Sequence, residues 1–212
     1  MSDWLQLTLI IAGAYLIGAI PGGLLVGMIM GRNLLEGGSG KTGTANALSV
    51  LGRPAAIAVF ALDLIKGVAA VLLARLLSWP NEAWLAVAMG LAASAAIVGH
   101  NWSVWVRLLA GRWGGGRGIV TALGAMLTVQ PLVILAAVLA GITVLAMTRY
   151  VVLGTLAGIA ASMVTIILLV LLKQVTPWLL PGTIAWGLLV VAGFGDSIGR
   201  LLKGSETRLG QS

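Results

Sequence analysis

Seven stretches of nearly unbroken apolar residues run along the chain, at about 5–30, 54–78, 82–99, 119–129, 131–147, 151–172 and 178–199. Polar, glycine-dense stretches interrupt them at 31–53, 99–118 and 200–212. A helix needs about 20 residues to cross a bilayer, so most of the apolar runs predict spanning helices. The fourth, 119–129, is too short to cross alone. Either 119–147 is one kinked helix, giving six spans, or Gln130-Pro131 is a turn, giving seven segments with a stunted fourth. The run at 5–30 is too long for the apolar part of a signal peptide and has no basic residues before it, so it predicts a first spanning helix.

The basic residues choose between the two topologies. With seven segments and the N-terminus outside, Arg32, Lys41, Arg53, Arg107, Arg112, Arg117, Arg149, Arg200, Lys203 and Arg208 all face the cytoplasm. Only Arg75 and Lys173 face out, with Lys66 inside the membrane. Six spans would strand Arg149, Arg200, Lys203 and Arg208 outside as well. The positive-inside rule favours the first arrangement. The expected fold is an all-α integral membrane protein of about seven transmembrane helices, one domain over 1–212, with the C-terminus cytoplasmic. All three glycine-dense loops then converge on the cytoplasmic surface, which marks that face as the expected site.

Composition sharpens this picture. Hydrophobic residues make up 59% of the 212 and charged ones only 9%, against about a quarter charged in soluble domains. Mean hydropathy is +1.07. The chain has no cysteine, one histidine and six acidic residues, which leaves no thiolate chemistry and argues against a metal site. No cofactor is expected. A net charge of +7 suits anionic headgroups or phosphorylated substrates, although basic residues also serve topology. No nucleic-acid partner is expected.

Asp63 and Lys66 lie about 14 Å inside the second apolar run, counting roughly 1.5 Å per residue from Arg53-Pro54. Three residues apart on one helix face, they can neutralise each other. Ionisable groups at such depth mark functional sites by default, though a buried pair also serves simply to fix helix register.

Loop one reads Gly37-Gly38-Ser39-Gly40-Lys41-Thr42-Gly43-Thr44-Ala45-Asn46. It is not a nucleotide P-loop, because Leu35 stands where that pattern needs glycine and no strand precedes it. Its glycines still let backbone N–H groups converge on an anion, with Ser39, Lys41 and Thr42 as further donors. Loop two carries Gly99-His100 and then Gly111-Arg112-Trp113-Gly114-Gly115-Gly116-Arg117-Gly118, a second plausible phosphate cradle. His100 alone titrates near neutrality unaided, although lone interfacial histidines more often serve structure. Trp102, Trp105 and Trp113 read as interfacial anchors. Loop three, Arg200 to Arg208, reads in isolation as a basic juxtamembrane tail.

Taken together these stretches resemble the three motifs of the bacterial acyl-phosphate:glycerol-3-phosphate acyltransferases, the PlsY family. The likeness covers Ser39-Gly40 to Asn46, Asp63-x-x-Lys66-Gly67, Gly99-His100, and Gly115, Gly116 and Gly118 leading into Thr121-Ala122-Leu123-Gly124. Arg149-Tyr150 to Leu153-Gly154 and Arg200-Leu201 to Gly204-x-Glu206 complete it. The resemblance implies an inner-membrane enzyme facing the cytoplasm. It would move a fatty acyl group from acyl-phosphate to the 1-hydroxyl of glycerol 3-phosphate, giving lysophosphatidic acid and phosphate for phospholipid synthesis. It implies no metal, and a monomer among membrane lipids is expected.

On that footing Ser39, Gly40, Lys41, Gly43 and Asn46 are expected to hold one phosphate. Gly115, Gly116, Arg117 and Gly118 would hold the other, with Arg200 and Glu206 contributing from loop three. His100, or a phosphate oxygen of the substrate, would accept the hydroxyl proton, and Asp63 would turn Lys66 towards the site; Ser39 completes the expected catalytic set. The family usually carries asparagine, threonine and arginine where Lys41, Ala45 and Ser49 stand, a lysine at Gly114, and histidine and asparagine at Phe194 and Ser197. These departures support two alternatives: a non-catalytic binder of acyl-phosphate or lysolipid, or an acyltransferase with a different acceptor. A transporter would show inverted repeats and several polar groups at mid-membrane, and the chain shows neither.

Overall fold

The computed structural model describes residues 2–77 and 79–209; Ser78 and the last three residues of the 200–212 stretch lie outside them. Eleven helices are present among the described residues, and no strand: α1 (Asp3–Ala19), α2 (Gly22–Ile29), α3 (Thr44–Leu51), α4 (Arg53–Arg75), α5 (Glu82–Asn101), α6 (Val104–Ala110), α7 (Ile119–Val129), α8 (Pro131–Thr148), α9 (Val151–Leu171), α10 (Leu179–Gly193) and α11 (Gly195–Leu202).

Local chemistry sets the ends of several. Ser2, Asn81 and Ser103 cap α1, α5 and α6, their side-chain oxygens accepting from the N–H groups of Leu5, Trp84 and Val106. Prolines stand in the first turns of α4 and α8, where a missing N–H costs nothing. The extended backbone of Gln130 (φ −155°) ends α7 and precedes α8. The turn expected at Gln130-Pro131 is therefore present, and 119–129 is a short helix of its own.

Two expected single helices are broken. The first apolar run divides at Ile20-Pro21 into α1 and α2, because Pro21 has no N–H to continue the ladder. The last run divides at Phe194, where α10 and α11 meet at a 62° bend. Among the described residues five lengths are long and apolar enough to cross a membrane: Asp3–Ile29, Arg53–Arg75, Glu82–Ala110, Pro131–Thr148 and Val151–Leu171. A sixth results if the α10–α11 pair is one broken span.

The hub is α5, which packs against α1, α4, α7 and α10. Lipid tails are as apolar as leucine, so close packing and not water exclusion must hold such helices together. Small residues allow that closeness. A Cβ on Gly18 of α1 would fall 2.2 Å from the Ala96 carbonyl oxygen of α5, and one on Gly67 of α4 would fall 2.1 Å from that of Thr121 in α7. The second contact matters for the site, since it seats α4, with Asp63 and Lys66, directly on α7. Outside this core, α8 and α9 form a hairpin that turns leucines such as Leu135, Leu139 and Leu168 outward.

Candidate functional site

Loop one is organised around a single side chain. Asn46, buried at the start of α3, accepts from the Ser39 N–H (2.8 Å) and shares its amide N–H groups among the carbonyls of Leu34 (3.0 Å), Gly37 (3.2 Å) and Lys41 (2.8 Å). Gly38, at φ +56°, passes so close that a Cβ there would lie 2.2 Å from Asn46 Oδ1. Both ends of the amide are thus spent on the loop. Asn46 was expected as a phosphate ligand; the structure uses it as the loop's internal frame.

Loop two folds back on the end of α5. The Gly116 N–H donates to the His100 carbonyl (2.9 Å) and the Ser103 N–H to that of Gly114 (2.9 Å). Gly116 lies flat against the imidazole, where a Cβ would fall 1.9 Å from His100 Nε2. Its N–H is therefore committed to the fold, not open to an anion as the nest reading expected. The two loops are joined by the Thr42 N–H donating to the Gly115 carbonyl (3.1 Å), and by Arg112 Nη2 donating to that of Leu35 (2.9 Å).

Between them, under the end of α10, lies a cavity of about 230 Å³. Ser39, Lys41, Gly43 and Asn46 line it from the first loop and α3, Asp63 from α4, His100 from α5, and Arg117 and Gly118 from the second loop. The two expected anion cradles are therefore one shared chamber with two cations. Arg117 is fixed by stacking over the Phe194 ring, 5.0 Å from its centroid, and by Asp196 Oδ2 at 3.5 Å. Lys41 lies near enough to act on Asp196 electrostatically. Thr44 Oγ1, Asp63 Oδ2 and Arg117 Nε are buried without a hydrogen-bond partner. Such groups are costly unless something fills their needs, and all three residues line this chamber.

At the chamber's inner end Asp63 meets Lys66 Nζ at 2.8 Å and His100 Nδ1 at 3.5 Å, all three residues buried. The ammonium group of Lys66 donates to the Ile20 carbonyl (2.9 Å) at the α1–α2 break. Lys66 was expected to turn towards the site, but it is not among the residues that line it. A carbonyl freed by a broken helix and a carboxylate in an apolar interior both call for a cation, and Lys66 serves both.

Arg200 and Glu206 also stand apart from the chamber walls. They pair with each other at 2.7 Å, while Arg200 reaches Ser197 Oγ (2.9 Å) and Asp196 (3.4 Å). They form a clasp at the end of α11, and through it Arg200 holds Asp196 beside Arg117. Gly40, Gly115 and Gly116 likewise shape the loops without lining the space. Asp196 and Thr44 drew no attention in the sequence, since a lone acid and a loop threonine carry no motif.

The chamber opens sideways. Ile119, Val120, Leu145 and Val151 line both it and an apolar groove of about 390 Å³ between α7, α8 and α9. Gly141, Gly154 and Gly158 form part of the groove's wall. No group of three histidine, cysteine or acidic side chains that would hold a metal ion occurs among the described residues.

The glycerol-3-phosphate acyltransferase family model matches residues 8–204. A glycerol-3-phosphate acyltransferase from Synechococcus elongatus is 38% identical over 205 residues, 93% of this chain and 92% of that protein. One from Desulforamulus reducens is 38% identical over 204 residues, 96% of this chain and 95% of the other. Among solved structures, the glycerol 3-phosphate form of PlsY, an integral membrane glycerol 3-phosphate acyltransferase, superposes with a TM-score of 0.81 at 28% identity, covering 96% of both chains. The lysophosphatidic acid form of PlsY matches with the same score at 27% identity, covering 97% of this chain and 96% of the other.

Proposed function

The chain belongs to the glycerol-3-phosphate acyltransferase family, and from that membership we propose that it moves a fatty acyl group from acyl-phosphate to the 1-hydroxyl of glycerol 3-phosphate. The products are lysophosphatidic acid and inorganic phosphate. One observation carries the reading: a chamber with Ser39, Lys41, Asp63 and Arg117 on its walls continues directly into an apolar groove. That is the shape of a phosphate joined to a hydrocarbon chain.

In the proposed reaction the acyl chain lies in the groove and its phosphate in the chamber beside glycerol 3-phosphate. An acyl-phosphate is a mixed anhydride, so its leaving group is already good. The hydroxyl oxygen attacks the acyl carbon, the bond from that carbon to the phosphate oxygen breaks, and the phosphate departs with the electron pair. The hydroxyl proton passes to a phosphate oxygen. No acyl-enzyme is needed. Lys41, Arg117, Ser39 and the backbone at Gly43 and Gly118 bind and neutralise the two phosphates; alignment and charge stabilisation supply the acceleration. The free Oδ2 of Asp63, held in place by His100 and Lys66, orients the attacking hydroxyl. Asn46, Gly40, Gly115, Gly116, Arg200 and Glu206 act by shaping the loops that carry these groups. The whole chain, 1–212, works as one domain in the bacterial cell membrane. The basic residues gathered on the loop side support a chamber at the cytoplasmic surface.

The groove also bears on chain length. On α9 it runs from Val151 to Ser162, roughly 16 Å at 1.5 Å per residue. A zigzag chain of bonds about 1.5 Å long advances about 1.25 Å per carbon, so the groove takes about a dozen methylenes. Thr155→Trp fills its middle. Turnover of palmitoyl-phosphate should fall at least about tenfold through overpacking, while butyryl-phosphate is spared. Equal loss for both donors would remove the groove from the reading.

Asn46→Ala takes away the frame of loop one without emptying the core. Activity should fall roughly ten- to a hundredfold as the positions of Ser39 and Lys41 blur, and the melting temperature should fall with it, because the Ser39 N–H and the carbonyls of Leu34, Gly37 and Lys41 lose their partner. Wild-type turnover in this variant would show that the loop needs no such frame.

The proposal itself is tested by following phosphate release from palmitoyl-phosphate by the purified protein, with and without glycerol 3-phosphate. Release that requires glycerol 3-phosphate and yields lysophosphatidic acid is expected. Release indifferent to it, or none from folded protein, would overturn the proposed reaction.

A further inference from the structure

A second hollow, of about 800 Å³, shares no lining residue with the reaction chamber. It lies where the end of α2, the first residues of loop one and the end of α6 meet, and Leu24, Met28 and Leu109 form its apolar side. Its polar side carries two arginines. Arg32 Nη1 donates to the Val50 carbonyl and Arg112 Nη2 to that of Leu35, both at 2.9 Å. Each guanidinium is thereby held by one nitrogen, leaving the rest of its fork for a ligand. The one carboxylate here, Glu36, accepts from the Asn33 amide at 2.7 Å.

The surroundings identify the medium. Met28 is 61% exposed, Ile29 86% and Leu108 69%. Trp105 and Trp113 lie exposed on the same stretch, with Trp105 Nε1 donating to the Leu16 carbonyl. Exposed large apolar chains beside tryptophans and arginines are the signature of the headgroup level of a bilayer. An occupant must offer an anion to the arginines and hydrocarbon to Met28 and Leu109 together.

We infer that this hollow binds the headgroup of an anionic phospholipid from the surrounding leaflet. Its two arginines grip the phosphate while the tails run down the outer face of α2. The site touches the chemistry indirectly. The Leu35 carbonyl that Arg112 holds belongs to loop one, and Arg112 Nη2 would lie 3.9 Å from a Cβ on Gly40, next to Ser39 and Lys41. A bound lipid therefore braces the loop that frames the chamber.

The test is native mass spectrometry of the whole protein with phosphatidylglycerol or phosphatidylcholine. The wild type should retain phosphatidylglycerol selectively. Arg32→Gln/Arg112→Gln should retain it roughly tenfold or more weakly, as expected when two basic contacts with an anionic lipid are lost. Met28→Glu touches neither arginine's backbone bond and should repel the same lipid, so the inference is tested even if the double variant fails to fold. An unchanged melting temperature of Met28→Glu reports that the protein is folded. Equal retention of both lipids by the wild type, or equal retention of phosphatidylglycerol by wild type and Met28→Glu, would overturn the inference. Displacement of the lipid by millimolar inorganic phosphate would identify the occupant as a free anion and overturn it too.

Discussion

Arg117→Ala should lower turnover by roughly two to three orders of magnitude, the usual cost of removing a preorganised group that stabilises developing charge. Arg117 is one of two cations lining the chamber, and its buried Nε has no partner of its own. Its position is set in advance by the Phe194 ring beneath it and Asp196 beside it, so little reorganisation is needed when charge builds on the departing phosphate. Folding should survive. Asp196 keeps its pairing with Arg200 at 3.4 Å, so no carboxylate is stranded. Arg117→Lys should recover part of the rate, since it restores charge without the planar fork or the stack. Phosphate release by the two variants, with melting temperature as a control, decides the matter. Wild-type turnover in Arg117→Ala would remove this residue from the mechanism.

Lys66→Met is expected to act on the fold first. It leaves Asp63, 1% exposed, as an uncompensated carboxylate, and it deprives the Ile20 carbonyl of one of its two donors. Breaking a buried pair from one side costs about 3–5 kcal/mol, a large share of the stability of most proteins. The double variant Asp63→Leu/Lys66→Met should recover much of that loss, because it removes both charges together. Activity should not return with it, since the hydroxyl-orienting carboxylate is gone. Denaturant unfolding in mixed micelles measures the first effect and phosphate release the second. A single variant as stable as the wild type would show that Asp63 finds another partner.

Much of this was legible in the chain. Apolar run length located the helices, and the shortness of 119–129 exposed the turn at Gln130. The breaks at Ile20-Pro21 and Phe194 were less visible, because apolar composition continues across both and hides a backbone that has stopped being helical. Motif order pointed to Ser39, Lys41, Asp63, His100 and Arg117, and the fold brings all five to the wall of one chamber where two separate cradles were expected. What the motifs did not reveal was direction. Asn46, Lys66 and Gly116 sit in the expected places, yet their polar groups turn into the protein, and Arg200 spends its guanidinium on Glu206 and Asp196 near the surface. Spacing along a chain carries no information about which way a side chain faces once loops fold back on each other. Phe194 shows the same limit from the other side: as a residue type it suggests only packing, and its role as the bed for Arg117 exists only in three dimensions.

The α8–α9 hairpin gives the groove a further property. Of their apolar windows, only 11% of α8 and 28% of α9 are buried within the protein, and Gly141 and Gly154 bring the two backbones together as one unit. Most of that unit's outer surface is matched by hydrocarbon and not by other helices. The groove's width is therefore partly set by the lateral pressure and thickness of the bilayer that leans on the hairpin. In a detergent micelle the same wall is held by a different medium, so on the proposed reaction the chain lengths accepted should differ between micelle and bilayer.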